Sequence, residues 1–575
     1  MVAHASPTRP TRRFVPVDVS FDDFTEFAGL FERLLARPIN SADDLEQLLL
    51  DYSELWCVID EYGQHRYIDK SCHTDDPEIE RRFMHFVENI EPPFKLMHFA
   101  IQKKFVQSPH RAGLSDPKYD VLGRHWQADV ELFRDKNVPL ETQQTKIVAE
   151  YDKVNGAAMI RFRGKDYTSQ QMSRFLEEPD RNTRQEAWEA TTTRRLQDVE
   201  TFERQFDELL SLRWQIARNA GLADPRELYF KQSKRFDYTP DDCLRFADAV
   251  AEAFVPLVRK LDRRRAEQLG VDRLRPWDLS VDPLNRPALR PFAPEDIEGF
   301  VAKTAGVFAK LSPALADDFD VLRRGNLLDL ASRKGKAPGG YQALLSERRD
   351  PFIFMNAVGS ADDVRTLLHE GGHAFHSLAA RHEPLIFLMH APMEFCEVAS
   401  MAMELLSNPY VEDYYDDPAD ADRHRADHFT KVVRTLPWVA TIDSFQHWIY
   451  THPDHSRDER EAAWLEVFSR FGHDLDWSGW ERWQRRRWTA QLHLFHVPFY
   501  YIEYGIAQLG ALQLWMKAKT DPHAALASYR NGLRLGGTRP LPQLFSAAGI
   551  HFDFSRKTMA PLANALEEEL ERSGA

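Results

Sequence analysis

The feature that most limits the possible folds is a helical segment, residues 360–378, whose two opposite faces both carry side chains suited to a protein interior. Ser360, with Asp363 three residues later, approximates a capping box, so we expect the helix to begin just after Ser360. At about 100° per residue, one stripe is apolar and the stripe nearly opposite to it is made of histidines. The two stripes are Val364, Leu368, Gly371, Phe375 and Leu378, and His369, His373 and His376. Such a helix must be buried on most of its circumference.

Two of these histidines form the pattern HExxH. His369 and His373 lie one turn apart, so both imidazoles can reach a single tetrahedral zinc ion, with Glu370 beside the metal to act on bound water. The pattern also arises by chance in long chains, and the alternative interpretation is two histidines without a metal. Gly371 and Gly372 favour the metal site, because each costs about 1 kcal/mol relative to alanine in a helix interior. Close approach of another backbone would compensate that cost.

A catalytic zinc ion keeps three protein ligands and one open position, so the pair of histidines needs a third donor. Glu397 lies 24 residues after His373 in a second helical pattern, and Glu404 shares its face seven residues later. One carboxylate could bind the metal while the other orients a ligand imidazole. Spacing alone leaves Glu394 open as the ligand, and a solvated acidic edge is the alternative interpretation.

Three further histidines follow the HExxH pattern. His376 lies one turn too far along to be a ligand, and we interpret it as a hydrogen-bonding neighbour. His382 and His390 are predicted to lie in loops.

Charge and cysteine content exclude several classes of partner. The chain has 89 acidic and 74 basic residues among 575, a net charge of −15, which repels nucleic acid and anionic lipid, so we expect neither as a partner. The four cysteines show no CxxC spacing, which favours a reducing, cytoplasmic compartment. No apolar run approaches the roughly 18 residues that cross a bilayer, and the first residues lack the apolar stretch of a signal peptide.

Helical patterns dominate the chain, and strands are few. Residues 158–163, Gly164 and residues 166–168 together predict a hairpin, and Pro351–Asn356 predicts another strand. The proline-rich stretch 274–295 is predicted to be a loop or a passage between lobes.

Three segments together resemble a known family. They are His-Glu-Gly-Gly-His at 369–373, Glu-Val-Ala-Ser at 397–400 and Pro-Phe-Tyr-Tyr-Ile-Glu-Tyr-Gly at 498–505. They resemble the thimet oligopeptidase and oligoendopeptidase F family of zinc metallopeptidases, and more closely the bacterial oligoendopeptidase F branch. Residues 180–188 also resemble a stretch of that branch. The resemblance covers the chain from about residue 150 to its end, whereas the first 150 residues match only in being helical.

The resemblance implies a fold and an activity. The fold would be mainly α, a two-lobed, neurolysin-like helical metallopeptidase with a deep substrate channel and a small β element next to the HExxH helix. The enzyme would be a zinc-dependent oligoendopeptidase that hydrolyses internal bonds of short peptides with one zinc ion per chain. His369, His373 and Glu397 would be the ligands and Glu370 the general base. Residues 352–356 would form an edge strand that pairs with the substrate backbone.

The segment after residue 490 resembles the family's histidine and tyrosine cluster, whose members donate hydrogen bonds to the substrate carbonyl oxygen as it becomes negative. We favour His493 and Tyr504, with Tyr501 third, over His496 and Tyr500. Pro498 would lie in the first turn of a helix. The alternative interpretation is that these aromatic residues pack a helix into the core.

The predicted organisation is a flexible tail at 1–20, an N-terminal helical lobe at 21–205 and a zinc metallopeptidase catalytic region at 206–575. Two other functions stay open. One is a dipeptide-releasing zinc exopeptidase of the same clan, and the other is an inactive peptide-binding homologue. Cobalt or manganese could replace zinc, and the oligomeric state is not predicted.

Overall fold

Most residues are helical in the computed structural model, which describes residues 12–21, 23–333, 335–337 and 339–573. The α-helices are Thr25–Ala36, Ala42–Cys72, Pro77–His85, Glu91–Val106, Lys118–Leu132, Val138–Gly156, Ser169–Ser173, Arg181–Asn219, Pro225–Gln232, Pro240–Ala253, Val255–Leu269, Ile297–Leu311, Pro313–Arg324, Ala361–Ala380, Met393–Ser407, Pro418–Thr451, Arg457–Phe471, Glu481–Arg486, Leu492–His496, Tyr501–Thr520, Pro522–Leu533, Leu541–Ala547 and Arg556–Arg572. The prediction of a mainly helical fold is confirmed. Within the described ranges, no helix has both the length and the apolar character needed to cross a bilayer.

The chain forms two compact units, and each is built from three chain segments. The first unit comprises the described residues of Met1–Glu131, Arg290–Arg425 and Ile506–Phe552, and the second those of Leu132–Leu289, Ala426–Gly505 and Asp553–Ala575. The predicted boundary near residue 205 falls inside the helix Arg181–Asn219. The stretch 274–295, predicted to be a loop or a passage between lobes, contains the change of unit between Leu289 and Arg290. Segments far apart in sequence pack together in each unit, and local sequence patterns do not report such packing.

Part of the predicted N-terminal tail is attached to the first unit. Residues 1–11 lie outside the described residues, but residues 12–20 are attached to the first unit. The Glu54 carboxylate accepts hydrogen bonds from the backbone N–H groups of residues 13–15 at 2.8–3.0 Å. Val15 and Val19 are buried in the same core as the first helices. The prediction of a flexible tail is therefore wrong for residues 12–20, because one carboxylate and two apolar side chains hold this segment.

The predicted hairpin is present in the second unit. Strands β1 (Ile160–Phe162) and β2 (Lys165–Tyr167) pair antiparallel, with Phe162 opposite Lys165. The two turn residues, Arg163 and Gly164, have φ values of 47° and 83°, as a tight two-residue hairpin turn requires.

A three-stranded sheet in the first unit leads into the HExxH segment. Its strands are β3 (Leu328–Ala331), β4 (Tyr341–Leu345) and β5 (Asp350–Ala357), in the order β3-β5-β4. Strand β5 pairs parallel with β3 and antiparallel with β4. The prediction that residues 352–356 form an edge strand is therefore wrong. These residues lie in the central strand, because two further segments, which the sequence analysis did not identify as strands, pair with both of its sides.

Candidate metal centre and active site

The HExxH helix is Ala361–Ala380, and its start follows the predicted capping box. Ser360 Oγ accepts a hydrogen bond from the Asp363 N–H at 3.2 Å, and Asp363 Oδ2 accepts one from the Ser360 N–H at 2.7 Å. Asp363 Oδ2 also accepts the Val358 N–H at 2.9 Å, which ties the helix start to the end of β5. Most residues of the helix are buried, including Glu370, Gly371 and Gly372. The prediction of a helix buried on most of its circumference is confirmed.

The glutamate helix, Met393–Ser407, crosses the HExxH helix at Gly372. A Cβ atom on Gly372 would lie 2.5 Å from the Ala399 carbonyl oxygen and 2.6 Å from the Ser400 Cα. A Cβ on Gly371 would meet the Phe308 ring at 2.9 Å. The backbone approach that was expected to compensate the glycine pair is therefore present at Gly372, and it brings Glu397 to the histidines.

His369, His373 and Glu397 form a group with metal-ligand spacing. The Glu397 Oε2 atom lies 3.4 Å from His369 Nε2 and 3.6 Å from His373 Nε2, and the three donor atoms all lie within 4.8 Å of one another. A tetrahedral zinc ion with bonds of about 2.0–2.1 Å holds its ligand atoms about 3.3 Å apart. The two separations at Glu397 Oε2 are close to that value, so two imidazoles and one carboxylate could hold a divalent ion, and three ligands would leave its fourth tetrahedral position open.

Two neighbouring side chains orient these donors. Glu404 Oε1 accepts a hydrogen bond from His369 Nδ1 at 2.7 Å, which turns the Nε2 atom of that ring toward Glu397. The Ser400 hydroxyl donates to Glu397 Oε2 at 2.9 Å. The spacing of Glu397 and Glu404 predicted their arrangement. The role of Ser400 was not predicted, although its position three residues after Glu397 on one helix was a usable signal. Glu394 is buried on the same helix and is not part of the group.

Burial and charge set the protonation of the group. Burial lowers the pKa of His373 to about 4, so this ring is neutral near pH 7. Burial also disfavours charge on His369, but its hydrogen bonds to Glu397 and Glu404 outweigh that effect and hold its pKa well above the usual value. The carboxylates therefore favour positive charge at this position, as a cation site requires.

Glu370 projects from the same helix and is 7% exposed. Burial raises the pKa of its carboxyl to about 7, against the lowering effects of the His369 charge and of a hydrogen bond from the Gln342 backbone. Gln342 belongs to β4, the strand at one edge of the sheet. A carboxyl with a pKa near neutrality is suited to accept and return a proton.

The remaining histidines of this region have other surroundings. His376 is buried, packs edge to face on Phe395 with ring centroids 5.9 Å apart, and has a pKa lowered to about 3 by burial. Its Nε2 atom has no hydrogen-bond partner among the described residues, so the predicted hydrogen-bonding role is not seen at that atom. His382 follows the helix in a turn, and His390 lies in a bend, as expected for loop histidines.

The second unit contains the tyrosine cluster, defined as His493, Tyr500, Tyr501 and Tyr504. The His493 ring centroid lies 4.8 Å from that of Tyr501 and 6.1 Å from that of Tyr504. The Tyr504 ring centroid also lies 5.2 Å from that of Tyr500 and 5.7 Å from that of Tyr501. His496 instead packs against Tyr151. His493, one of the two candidate histidines, thus contacts the tyrosines of the cluster.

The protonation of His493 follows from its surroundings. Burial lowers its pKa to about 4, so the ring is neutral near pH 7. The Gln491 side-chain amide donates to its Nδ1 atom at 2.9 Å, which leaves the proton on Nε2. His493 therefore presents a neutral N–H donor. Gln491 was not predicted from the sequence.

The segment before the tyrosines departs from the prediction. The helix begins at Tyr501, so Pro498 does not lie in its first turn. Phe499 has a φ of 63°, a conformation that a bulky residue adopts only when its surroundings impose it. Its N–H donates to Gln446 Oε1 and its carbonyl accepts from Arg235 Nη2, both at 2.7 Å. These two buried partners hold the bend that a proline-based prediction could not anticipate.

Comparison with known proteins decides the family. The model of peptidase family M3 matches residues 174–563, and that of the peptidase M3 N-terminal domain matches residues 14–133. The chain belongs to peptidase family M3. Peptidases of this family are generally metallopeptidases, and the predicted resemblance is confirmed. The N-terminal match is new, since the sequence analysis found only helical character there.

Several relatives of this M3 peptidase are similar over different lengths. Oligopeptidase PepF of Bacillus subtilis (strain 168) is 23% identical over 328 residues, which are 55% of this chain and 47% of that protein. The aligned part thus spans about half the length of that relative. A solved structure of PZ peptidase A with an inhibitor has a TM-score of 0.89 at 27% identity, covering 97% of this chain and 99% of the other. A putative oligoendopeptidase F from Bacillus anthracis str. Ames has a TM-score of 0.85 at 25% identity, covering 98% and 99%.

Proposed function

We propose that this M3 peptidase is a zinc-dependent oligoendopeptidase that hydrolyses internal bonds of short peptides. The observation that carries the proposal is the spacing of His369, His373 and Glu397, which matches the ligand spacing of a tetrahedral ion, with Glu370 on the next position of the same helix. Relatives described as oligopeptidase and oligoendopeptidase support the choice of peptides as substrates.

Zinc suits this set of donors better than a hard cation does. Two imidazole nitrogens and one carboxylate oxygen are typical catalytic zinc ligands, whereas magnesium and calcium prefer oxygen alone. His373, neutral near pH 7, has a lone pair available without losing a proton. Cobalt and manganese stay open as alternatives, because supply as well as ligand type decides among such metals.

The chain's own groups would divide the chemistry between them. When bound, the ion lowers the pKa of water and polarises the substrate carbonyl. Glu370 would accept the proton of the attacking water and return it to the departing amine nitrogen, a transfer that its pKa of about 7 suits. Glu404 would fix the orientation of the His369 ring, and Ser400 that of the Glu397 carboxylate.

The tyrosine cluster would supply donors to the carbonyl oxygen as negative charge develops on it. His493 presents a neutral N–H, and Tyr504 and Tyr501 present hydroxyl groups. Donors of this kind stabilise the transition state more than the bound substrate, because the oxygen is most negative in the transition state.

Strand β4 would align the substrate backbone. It is one of the two edge strands of the sheet beside the HExxH helix, and the backbone of its residue Gln342 hydrogen-bonds Glu370. A strand edge to which no further strand is paired can bind an extended peptide through main-chain groups whatever its sequence, which predicts broad sequence tolerance. The role that the sequence analysis gave to residues 352–356 thus passes to Tyr341–Leu345.

The test is hydrolysis of a quenched fluorogenic peptide whose amino terminus is acetylated and whose carboxyl terminus is amidated. We expect cleavage, complete loss of activity after chelation, and recovery on addition of Zn²⁺, with fragments that mass spectrometry assigns to an internal bond. Cleavage only of peptides with free termini would support the exopeptidase instead. No cleavage of any peptide by the zinc-loaded chain would support the inactive homologue.

Short peptides as substrates, the absence of nucleic-acid and membrane partners, and a cytoplasmic location stay predictions.

A further inference from the structure

A second group of metal-binding side chains lies inside the second unit. Cys243 on the helix Pro240–Ala253 and Asp443 and His447 on the helix Pro418–Thr451 place one ligand atom each within 4.8 Å of one another. Asp443 Oδ2 lies 3.3 Å from His447 Nε2, close to the ligand separation of about 3.3 Å around a tetrahedral zinc ion. The spacing of Asp443 and His447 is one helical turn, the same as that of the HExxH histidines.

These three residues are almost completely inaccessible to water. Cys243 is 0%, Asp443 1% and His447 3% exposed. Within the described part of the chain, neither carboxylate oxygen of Asp443 and neither ring nitrogen of His447 has a hydrogen-bond partner. A buried carboxylate without donors costs several kcal/mol, so polar atoms in this position normally have a partner. These unpartnered atoms are suited to bind an additional positive group.

We propose that Cys243, Asp443 and His447 bind a second divalent cation of the zinc class, which has a structural role. The two positive charges of the cation would neutralise the two negative charges of the Cys243 thiolate and the Asp443 carboxylate, so the group would carry no net charge. A carboxylate that binds through both oxygens supplies two donors, which with the thiolate sulfur and one imidazole nitrogen make four. Sulfur and nitrogen ligands select zinc or a similar metal over magnesium and calcium.

Without a metal, fewer of the buried polar atoms of Asp443 and His447 would have a partner. An ion pair between a protonated His447 ring and Asp443 would use the 3.3 Å contact only. The second oxygen of Asp443 and the Nδ1–H of His447 would then stay buried without partners. A cation bound by Asp443 through both oxygens accounts for both carboxylate oxygens and one ring nitrogen.

The site supports the strained residue before the tyrosine cluster. The His447 ring packs against the Phe499 ring, with centroids 5.1 Å apart. The neighbouring Gln446 accepts the Phe499 N–H. A cation that joins the two helices would therefore stiffen the surface on which Phe499 keeps its positive φ. This consequence does not depend on the peptidase activity.

Cobalt provides a direct test, because a thiolate bound to Co²⁺ gives a charge-transfer absorption band in the near ultraviolet, and no member of the HExxH group has sulfur. We expect the metal-free full-length chain to bind two Co²⁺ and to show this band at one of them. Mass spectrometric metal analysis of the zinc-loaded chain should likewise give two ions per chain. One ion per chain together with no thiolate band in the wild type would overturn the proposal, and this result needs no variant to fold.

Variants assign each ion to its site. Cys243→Ser should remove the band and one ion, and His447→Gln should remove one ion, whereas Cys57→Ser, a change at another buried cysteine, should leave both ions and the band. His373→Ala should lose one ion and keep the band. In the His373→Ala background, Zn²⁺ should still raise the melting temperature, and adding Cys243→Ser should abolish that shift. A band that survives Cys243→Ser would contradict the assignment. If the proposed peptidase function failed, the thiolate band would still be expected, so the two failures can be told apart.

Discussion

A Cβ atom placed on Gly372 would lie 2.5 Å from the carbonyl oxygen of Ala399. The Tyr529 hydroxyl donates to the same carbonyl at 2.8 Å, so the backbone there is held in place and cannot easily move away. The HExxH helix and the glutamate helix can approach each other this closely only because position 372 has no side chain. The distance between the histidines and Glu397 depends on that approach.

Replacing Gly372 should therefore affect both stability and metal binding. We expect Gly372→Ala to lower the free energy of unfolding by about 1–3 kcal/mol, because the added methyl group overlaps backbone atoms. Zinc affinity should fall as the helices separate. Urea unfolding and competition with a chelator measure the two effects.

The matched control is Gly29→Ala in the helix Thr25–Ala36. A Cβ at Gly29 meets nothing within 4 Å, so this change should stabilise the protein by about 0.5–1 kcal/mol and leave zinc binding unaltered. Equal behaviour of the two variants would show that the close approach at Gly372 is not required.

Glu370→Gln should separate catalysis from metal binding. The amide keeps the size of the side chain but cannot accept a proton, so kcat should fall by about 10²–10⁴-fold. Metal content should equal that of the wild type, because Glu370 is not one of the grouped ligands. Steady-state kinetics and metal analysis are the measurements. A variant with wild-type kcat would remove Glu370 from the mechanism.

Glu404→Gln should weaken metal binding without removing a ligand. Losing the charged acceptor of His369 Nδ1 should lower zinc affinity by about 10–100-fold, as measured by chelator competition. Glu397→Gln should lower zinc affinity more than Glu404→Gln does, since it removes a charged donor to the metal.

Glu394→Gln serves as the control on the same helix. Glu394 is buried but lies outside the ligand group, so zinc affinity should stay at the wild-type value. A loss as large as that of Glu397→Gln would make Glu394 the ligand after all.

Tyr504→Phe tests the proposed oxyanion role. Loss of one donor should reduce kcat by about 10²–10³-fold and change KM much less, because the bond strengthens in the transition state. Tyr500→Phe, a change at a neighbouring member of the tyrosine cluster, should have little effect. The reverse pattern would transfer the role to Tyr500.

His376 should make stability depend on pH. Its pKa is about 3 in the folded chain because of burial, and about 6.5 in an unfolded chain. The unfolded state therefore binds the proton first, so this contribution to stability is complete above pH 6.5 and decreases as pH falls toward 3. The loss is about 1.4 kcal/mol for each pH unit in that window.

Urea unfolding of the wild type and of His376→Gln at pH 7 and pH 5, with chelator present throughout, measures this effect. The wild type should lose more stability between the two pH values than the variant does. His382→Gln, at a histidine in the turn after the helix, should behave like the wild type. Identical pH dependence of His376→Gln and the wild type would show that this ring is not buried in its neutral form.

Interactions between residues within one turn of the same helix could be predicted from the sequence. The cap formed by Ser360 and Asp363 and the pairing of His369 with His373 depend only on the spacing of residues along one helix. Helix geometry fixes that spacing whatever the rest of the chain does. The same reasoning placed Glu397 and Glu404 on one face, but it could not choose among the acidic residues.

Contacts between distant segments decided the rest. The short donor separations at Glu397 depend on the meeting of two helices at Gly372, and the central position of β5 depends on strands that pair with both its sides. Cys243 is 200 positions from Asp443, and no local pattern links them. Such contacts depend on how the whole chain packs, because their free energy comes from burial shared by many residues rather than from the spacing of a few.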